Sequence, residues 1–358
     1  MTERECWLWL NNVPYMWHNK IKKLLEAFGT PLEIYNSGKE RLVLSKAVSE
    51  KDIYHITHSK GIIDPVKIAE DMDKKNIKFV TIDEEKYPGR LKLIDNPPYC
   101  LYVKGKLPDK GKAVSVVGAR NCSDYGRNMA RAIGRKLAEL GSDVISGMAR
   151  GIDTYGHIGA LEGKGYTYAV LGSGVDVCYP SENAELYEEI VKRGGVISEF
   201  PMGAKPEGWR FPQRNRIISG LSHCVIVVEA KVKSGSLITA EFALEQGADV
   251  MAVPGRAGDK LSEGSNMLIK DGAEIITCLD DIGNFLGMAD VKNNENLIKL
   301  LEKDFEVVYS ETDLSPVSID ELAERTGMKI EKLYEILLKL QLRNLIWEPV
   351  KNYYARKL

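Results

Sequence analysis

Over residues 1 to about 70, apolar and polar residues alternate at helical spacing. In MWHNKIKKLLEAFG the apolar positions recur three and four apart and the run stops at Gly29, with Pro31 just beyond, which predicts a helix. A second helix is predicted from about Asp64 to Lys75, entered through Gly-Ile-Ile-Asp-Pro. From Val114 onward the period changes: short β-branched runs (VSVVG, SDVISG, TYAVLGSG, GGVISEF, CVIVVEA, ADVMAVPG, AEIITCL) alternate with amphipathic stretches such as YGRNMARAIGRKLAELG and GIDTYGHIGALEGKG. Continuous apolar strands between helices predict βαβ units and a parallel sheet covered on both faces, an α/β fold. After the polar stretch DVKNNENL, SIDELAERTGMKIEKLYEILLKLQLRNLI predicts two helices around Thr326 to Lys329, and WEPVKNYYARKL supplies the strands of a wing. The expected organisation is a helical domain at 1–70, a sheet domain at 71–288, a linker at 289–305 and a winged-helix-like domain at 306–358.

With 358 residues, 44% of them hydrophobic, the chain can bury real cores. Its 49 basic and 51 acidic residues leave a net charge of −2, so no overall positive field draws it to nucleic acid or anionic lipid, and any anion binding must be local. Cys6, Cys100, Cys122, Cys178, Cys224 and Cys278 lie far apart, without a CxxC pair or a histidine at ligand spacing. A reduced cytoplasmic protein without metal or cofactor is expected. No stretch approaches the roughly 20 apolar residues of a membrane span, so no membrane partner is expected either.

In an open parallel sheet, ligands gather beyond the carboxyl ends of the strands. Four loops there are rich in glycine. Gly118-Ala119-Arg120 is followed by Ser123, placed to cap a helix; Ser146-Gly147-Met148-Ala149-Arg150-Gly151-Ile152-Asp153 leads into another. Gly172 to Asp176 forms the third loop, and Lys233-Ser234-Gly235-Ser236 the fourth. Glycines admit a ligand close to the backbone, and free N–H groups at a helix start favour an anion, so together the loops read as a phosphate rim; singly, each could merely turn the chain. No GxxxxGK[ST] motif occurs, and the GSG at 172–174 has Val177 where a dinucleotide fingerprint needs its third glycine.

The stretch GWRFPQRNR adds aromatic faces, Trp209 and Phe211, and the guanidinium groups of Arg210, Arg214 and Arg216 around Asn215. Aromatic faces with phosphate-holding cations suit a single nucleic-acid strand. The competing reading keeps Phe211 in the core and pairs the arginines with Glu199 or Glu229.

Taken in order, VVGAR, SGMARGID followed by His157, AVLGSGVDVCYP, SEFPMG, FPQRNRIISGLS, KSGSLITAEFALEQG, AVPG and GSNMLIKDGA resemble the DprA (Smf) family of bacterial DNA-processing proteins, and EKYPGRLKLIDNPPYCLYVKG looks like the segment leading into its extended Rossmann-like domain. The resemblance implies an amino-terminal helical domain of SAM or HhH type and a non-enzymatic recombination mediator. Such a protein binds and protects single-stranded DNA and loads the recombinase RecA during natural transformation. Its DNA-contacting residues would carry over to Gly118, Arg120, Ser146, Gly147, Phe211, Arg214, Asn215, Arg216 and Lys233; the rim adds Arg150, Arg210, Ser234 and Gly235.

Two other functions compete. A Rossmann-like nucleoside-monophosphate phosphoribohydrolase would use Glu241 of SGSLITAEFAL as general base, although the chain lacks a PGG-type loop. A duplex-reading transcription factor would use the carboxy-terminal helices, but residues 316–358 hold eight basic against six acidic residues, a net of +2 that is poor for duplex recognition. In the second of these helices Leu333, Ile336, Leu337 and Leu340 form the core face, leaving Lys332, Glu335 and Lys339 outward.

In GSNMLIKDGA, Ser265 is expected to cap a short helix that Gly272 ends, with Met267, Leu268 and Ile269 consecutive inside it. Successive helical residues point about 100° apart, so at least one of the three faces outward. Because the family pairs through this half of the domain, a homodimer centred on Met267 or Ile269 is expected.

Overall fold

The structure, a computed structural model, describes residues 1–108, 111–288, 303–313, 316–342 and 345–356. Of the expected linker, residues 289–302 lie outside the described residues. The chain forms two compact units, Met1–Asp281 and Ile282–Leu358, each with a hydrophobic core.

The first unit is built on a nine-stranded sheet: β1 (Ile77–Thr81), β2 (Cys100–Gly105), β3 (Ala113–Val117), β4 (Asp143–Ser146), β5 (Thr167–Val170), β6 (Gly195–Ser198), β7 (Cys224–Val227), β8 (Asp249–Ala252) and β9 (Glu274–Ile275). Their order is β1-β2-β6-β5-β4-β3-β7-β8-β9. Neighbours from β6 to β9 run parallel, as the apolar runs predict, and every residue of β3, β5, β6 and β7 is buried. Ser115, the polar residue of β3, shares a 2.6 Å hydrogen bond with Ser222 instead of standing unpaired. The winding predicted from Val114 omits β1 and β2, which form an antiparallel pair joined antiparallel to β6.

Six helices precede β1, and the two predicted ones are placed as read. His18–Phe28 stops at Gly29, whose φ of 85° is a conformation glycine adopts without strain. Pro65–Lys74 starts at Asp64, whose carboxylate accepts from the Val66 and Lys67 amides at 3.0 and 3.2 Å. These helices share a core with the sheet. Trp7 stacks on Tyr99 at 5.5 Å, Asn12 Nδ2 donates to the Tyr102 hydroxyl at 2.9 Å, and Arg4 Nη2 donates to the Phe79 carbonyl at 2.7 Å.

The second unit is a winged helix: helices Lys303–Glu311, Ile319–Thr326 and Ile330–Leu342, with a small sheet of β10 (Val317–Ser318), β11 (Ile346–Val350) and β12 (Tyr353–Arg356) in the order β10-β12-β11. Leu333, Ile336, Leu337 and Leu340 are buried and Lys332, Glu335 and Lys339 exposed. Two of the basic residues counted there, Arg343 and Lys357, lie outside the described residues.

One capping expectation needs correction. The helix at the end of the sheet runs Glu263–Lys270, so Ser265 lies inside it, buried, with its hydroxyl donating to the Ser262 carbonyl at 3.2 Å. Ser262 holds the N-cap position without a side-chain bond, and Gly272, at φ 107°, follows the helix as expected.

Candidate nucleic-acid interface

β3 is the strand at which the sheet changes direction: the chain winds from it through β4 and β5 to β6, then returns to place β7 on its other side. Loops leaving β3 and β7 therefore part company and open a crevice, the usual ligand position of such sheets. Glu229 fixes the crevice's back wall. Its carbonyl accepts from the Ala119 amide at 2.7 Å, and its buried carboxylate accepts from the Ser123 amide at 2.9 Å and from the Ser123 hydroxyl. Among the described residues no arginine pairs with Glu229; the loop and the capping serine of the following helix do.

The helix Arg210–Gly220 crosses the mouth of the crevice, and its residues split between two sides. Phe211, Arg214, Asn215 and Ile218, spaced three and four apart, line a cleft of about 570 Å³ together with Gly118, Arg120, Ser234 and Gly235. Pro212 lies in the first turn, where a proline costs no helical hydrogen bond. Arg120 Cζ lies 5.3 Å from the Phe211 ring centroid, and Tyr179 tilts against the same ring at 5.7 Å. Gly172 lets the ring sit this deep, since a Cβ there would stand 2.9 Å from Phe211 Cδ1.

The cleft's fourth wall is the start of helix Gly235–Glu245, capped by Ser234, whose hydroxyl accepts from the Ser236 amide at 3.4 Å. Asn215 Nδ2 donates to the Gly235 carbonyl at 3.0 Å and so ties this helix start to the aromatic wall. The unpaired amides of a helix's first turn, with Arg120 exposed beside them and Lys233 exposed just upstream of the cap, favour an anion. Neither cation has an ion-pair partner among the described residues.

Arg214 is the floor rather than the rim. It is 4% exposed, and its Nη1 donates to the Gly147 carbonyl at 2.8 Å and to the Val170 carbonyl, its Nε to Asn215 Oδ1 at 3.3 Å. Gly147 has no Cβ because one would stand 2.5 Å from Arg214 Nη1. Burial pushes the guanidinium's pKa down to about 10, against the pull of Asp153 nearby. Asp153, itself raised by burial, accepts from the Gly147 amide at 3.0 Å and holds that loop. The Ser146 hydroxyl is likewise spent inside, on the Val116 carbonyl at 2.7 Å.

Three expected cations stand away from the cleft. Arg150 pairs with Glu182 at 2.6 Å in solvent. Arg210 stacks on Phe200 and Trp209 at 4.9 and 5.0 Å and donates to the Lys205 carbonyl at 2.7 Å. Arg216 points to the helix's other side, where it pairs with Glu199 as the competing reading held. Trp209 goes the same way, edge-on to Trp17 at 4.4 Å. Sequence reasoning missed the structural roles of Tyr179, Asp153 and Glu229; all three lay within quoted stretches, but nothing in a linear pattern shows that Tyr179 reaches Phe211 or that Glu229 holds Ser123.

Glu241, the base of the phosphoribohydrolase reading, is exposed on helix Gly235–Glu245, while Ser236 and Thr239 of that helix face the cleft. Met267 is 45% exposed, with Leu268 and Ile269 half-buried beside it. Among the described residues no cluster of histidine, cysteine or acidic side chains could hold a metal, and no helix is long and apolar enough to cross a membrane.

Comparison with known proteins agrees with this architecture. The family model of DNA recombination-mediator protein A matches residues 78–287, and that of the DprA winged helix domain matches 299–347. Protein Smf of Synechocystis is 34% identical over 313 residues, 86% of this chain and 79% of the relative. The DNA processing protein DprA of Bacillus subtilis is 41% identical over 224 residues, 62% of this chain and 75% of the relative. Among solved structures, DprA of Streptococcus pneumoniae superposes with a TM-score of 0.66 at 33% identity, covering 79% of this chain and 97% of that one. DNA processing protein A of Helicobacter pylori, described for its single-stranded DNA binding mode, superposes with a TM-score of 0.53 at 28% identity over 58% of this chain and 95% of that one. With its sheet domain and its winged helix both matched, this chain belongs to the DNA recombination-mediator protein A family, that of the DprA and Smf proteins.

Proposed function

We propose that the protein binds single-stranded DNA in the cleft at the β3/β7 switch, shields it, and delivers it to the RecA recombinase in recombination and natural transformation, without turnover of its own. The observation carrying this reading is Arg120 over the exposed side of Phe211, beside the open amides of helix Gly235–Glu245. A base stacks on the ring while its phosphates meet Arg120, Lys233 and the helix start, an arrangement suited to any base sequence. The single-strand binding mode described for the Helicobacter pylori relative supports it. In this reading Gly118, Phe211, Asn215, Ser234 and Gly235 line the strand's path, and Ser146, Gly147 and Arg214 hold the floor beneath it. Two copies joined through Met267 and Ile269 would place two clefts on one strand and raise avidity.

Gel-shift titrations of a single-stranded and a duplex oligonucleotide across a salt series test the reading. Single-strand preference with log affinity falling at about −0.7 per phosphate contact against log salt is expected; equal affinity for both at every salt would overturn it.

A further inference from the structure

A second cavity lies at the opposite end of the strands from the Phe211 cleft. Ala113 opens β3 and His223 directly precedes β7, so both mark the amino-terminal edge of the parallel sheet. They border a space of about 700 Å³ whose other walls are the end of β2 and the turn around Pro88. A volume of that order takes a small organic ligand. Leu91 anchors the turn: it is fully buried and packs on Gly220 so closely that a Cβ there would stand 2.9 Å from Leu91 Cδ1. Its neighbour Arg90 joins the cavity wall.

Lys78, Lys86, Arg90 and Lys106 line this space against one carboxylate, Glu85. Lys86 is spent on Glu84 at 2.9 Å, and Lys78 Nζ donates to the Gly105 carbonyl at 3.3 Å, beside Lys106 in the chain. Arg90 and Lys106 have no ion-pair or hydrogen-bond partner among the described residues, and of the Arg90 nitrogens only Nε is enclosed. His223 adds a neutral donor. The Ala113 amide donates to its Nδ1 at 3.2 Å, so the ring proton sits on Nε2, which is neither enclosed nor bonded. Burial, then the charge of nearby Arg90, holds this ring below the usual histidine range and keeps it uncharged at neutral pH.

With Lys86 set aside beside its own partner, Lys78, Arg90 and Lys106 against Glu85 leave two positive charges in surplus among the lining side chains. A concave wall of one sign concentrates the opposite ion. A phosphomonoester, at about −1.5 to −2 near neutral pH, matches that surplus, whereas a carboxylate or sulfonate meets only half of it. The rest of the lining is apolar: Pro88, Leu107 and Pro108, half-buried, around Val80, Val103 and Leu221. We propose that this cavity binds a small phosphomonoester with a flat or apolar body, its phosphate drawn by Arg90 beside His223 and by Lys106 beside Lys78. The site is separate from the Phe211 cleft and does not depend on the single-strand reading.

The test is calorimetric titration of the full-length protein with phenyl phosphate, the smallest probe that joins both halves of the ligand. Benzenesulfonate, with the same ring and a single charge, and inorganic phosphate, with no ring, are titrated beside it. Phenyl phosphate is expected to bind about tenfold more tightly than either. Arg90→Gln and Lys106→Glu are each expected to weaken it by roughly tenfold, while Arg120→Ala, in the Phe211 cleft, leaves it unchanged. Lys106 is exposed, so its variant serves if Arg90→Gln fails to fold, as a circular-dichroism melt would show. Absence of binding, equal affinity for the three probes, or affinity kept by Lys106→Glu overturns the proposal. Binding lost in Arg120→Ala and kept in both cavity variants places the probe in the cleft and overturns it too.

Discussion

Arg120 holds its guanidinium 5.3 Å from the centre of the Phe211 ring, yet makes no ion pair among the described residues. A cation resting on an aromatic face stays hydrated on its outer side and remains free to meet a phosphate. Phe211→Ala is expected to weaken single-strand binding by about 1–3 kcal/mol, roughly 5- to 150-fold, with Phe211→Trp retaining most of it. Arg120→Ala should weaken binding and flatten the salt dependence by about 0.7, while changing stability by no more than about 0.5 kcal/mol. Fluorescence anisotropy with labelled oligonucleotides at several salt concentrations measures both.

Arg214, buried beneath the cleft, behaves oppositely. Its removal strands the Gly147 and Val170 carbonyls and leaves buried Asp153 without its compensating charge. Arg214→Ala is expected to cost about 3–5 kcal/mol, and Arg214→Lys to be nearly as damaging because an ammonium lacks the planar fork. Urea denaturation followed by circular dichroism would show it; a variant as stable as the parent but deficient in DNA binding would move Arg214 to the rim.

Stability should fall on mild acidification. His157 is fully buried, and burial, reinforced by the Arg214 charge, pushes its pKa down to about 3. The Thr167 hydroxyl donates to the Val144 carbonyl at 2.9 Å and so accepts from His157 Nδ1 at 2.6 Å, leaving Nε2 without a proton. In the unfolded chain the ring titrates near 6.5. The unfolded state thus binds more protons between these values, and the stabilisation present above pH 6.5 is lost as pH falls through that window. From pH 6.5 to 5 the loss is about 1.5 kcal/mol for this group. His157→Gln, which does not titrate, should shrink the measured drop by that amount; an unchanged pH profile would show that His157 does not carry it.

Met267→Glu places a charge on the exposed side of helix Glu263–Lys270. Should the proposed dimer be centred there, sedimentation at micromolar concentration shows a dimeric parent and a monomeric variant with an unchanged melting temperature. A monomeric parent, or a variant that stays dimeric, places the interface elsewhere.

The parallel core was legible because strands buried on both faces leave unbroken apolar runs between helix-period stretches. β1 and β2 were not, since only the four-residue helix Gly89–Lys92 separates them, too short for the βα rhythm, and Lys78 and Asn96-Pro97-Pro98 interrupt the apolar pattern. The glycine loops were placed at the right edge of the sheet by the same rhythm. Which arginines share the cleft was not legible from the sequence, because it depends on Arg210–Gly220 being a helix. Once it is a helix, the two-residue step from Arg214 to Arg216 rotates the side chain by about 200°, enough to send one into the floor of the cleft and the other through to Glu199. Tyr179 and Glu229 come from loops far apart in the chain, and only closure of the sheet brings them to Phe211 and Ser123.

The position of β1 and β2 also bears on what happens if the chain is shortened. Paired to β6, they close the backbone of Gly195–Ser198 against a neighbour, while at the opposite margin β9 is only two residues long. A polypeptide beginning at β3 would bare one full row of amides and carbonyls on an otherwise sunken apolar strand. Such a margin recruits the same margin of another molecule. Residues 1–105 are therefore a seam that keeps the sheet finite, and their deletion leads to precipitate or fibre before it leads to a smaller working protein.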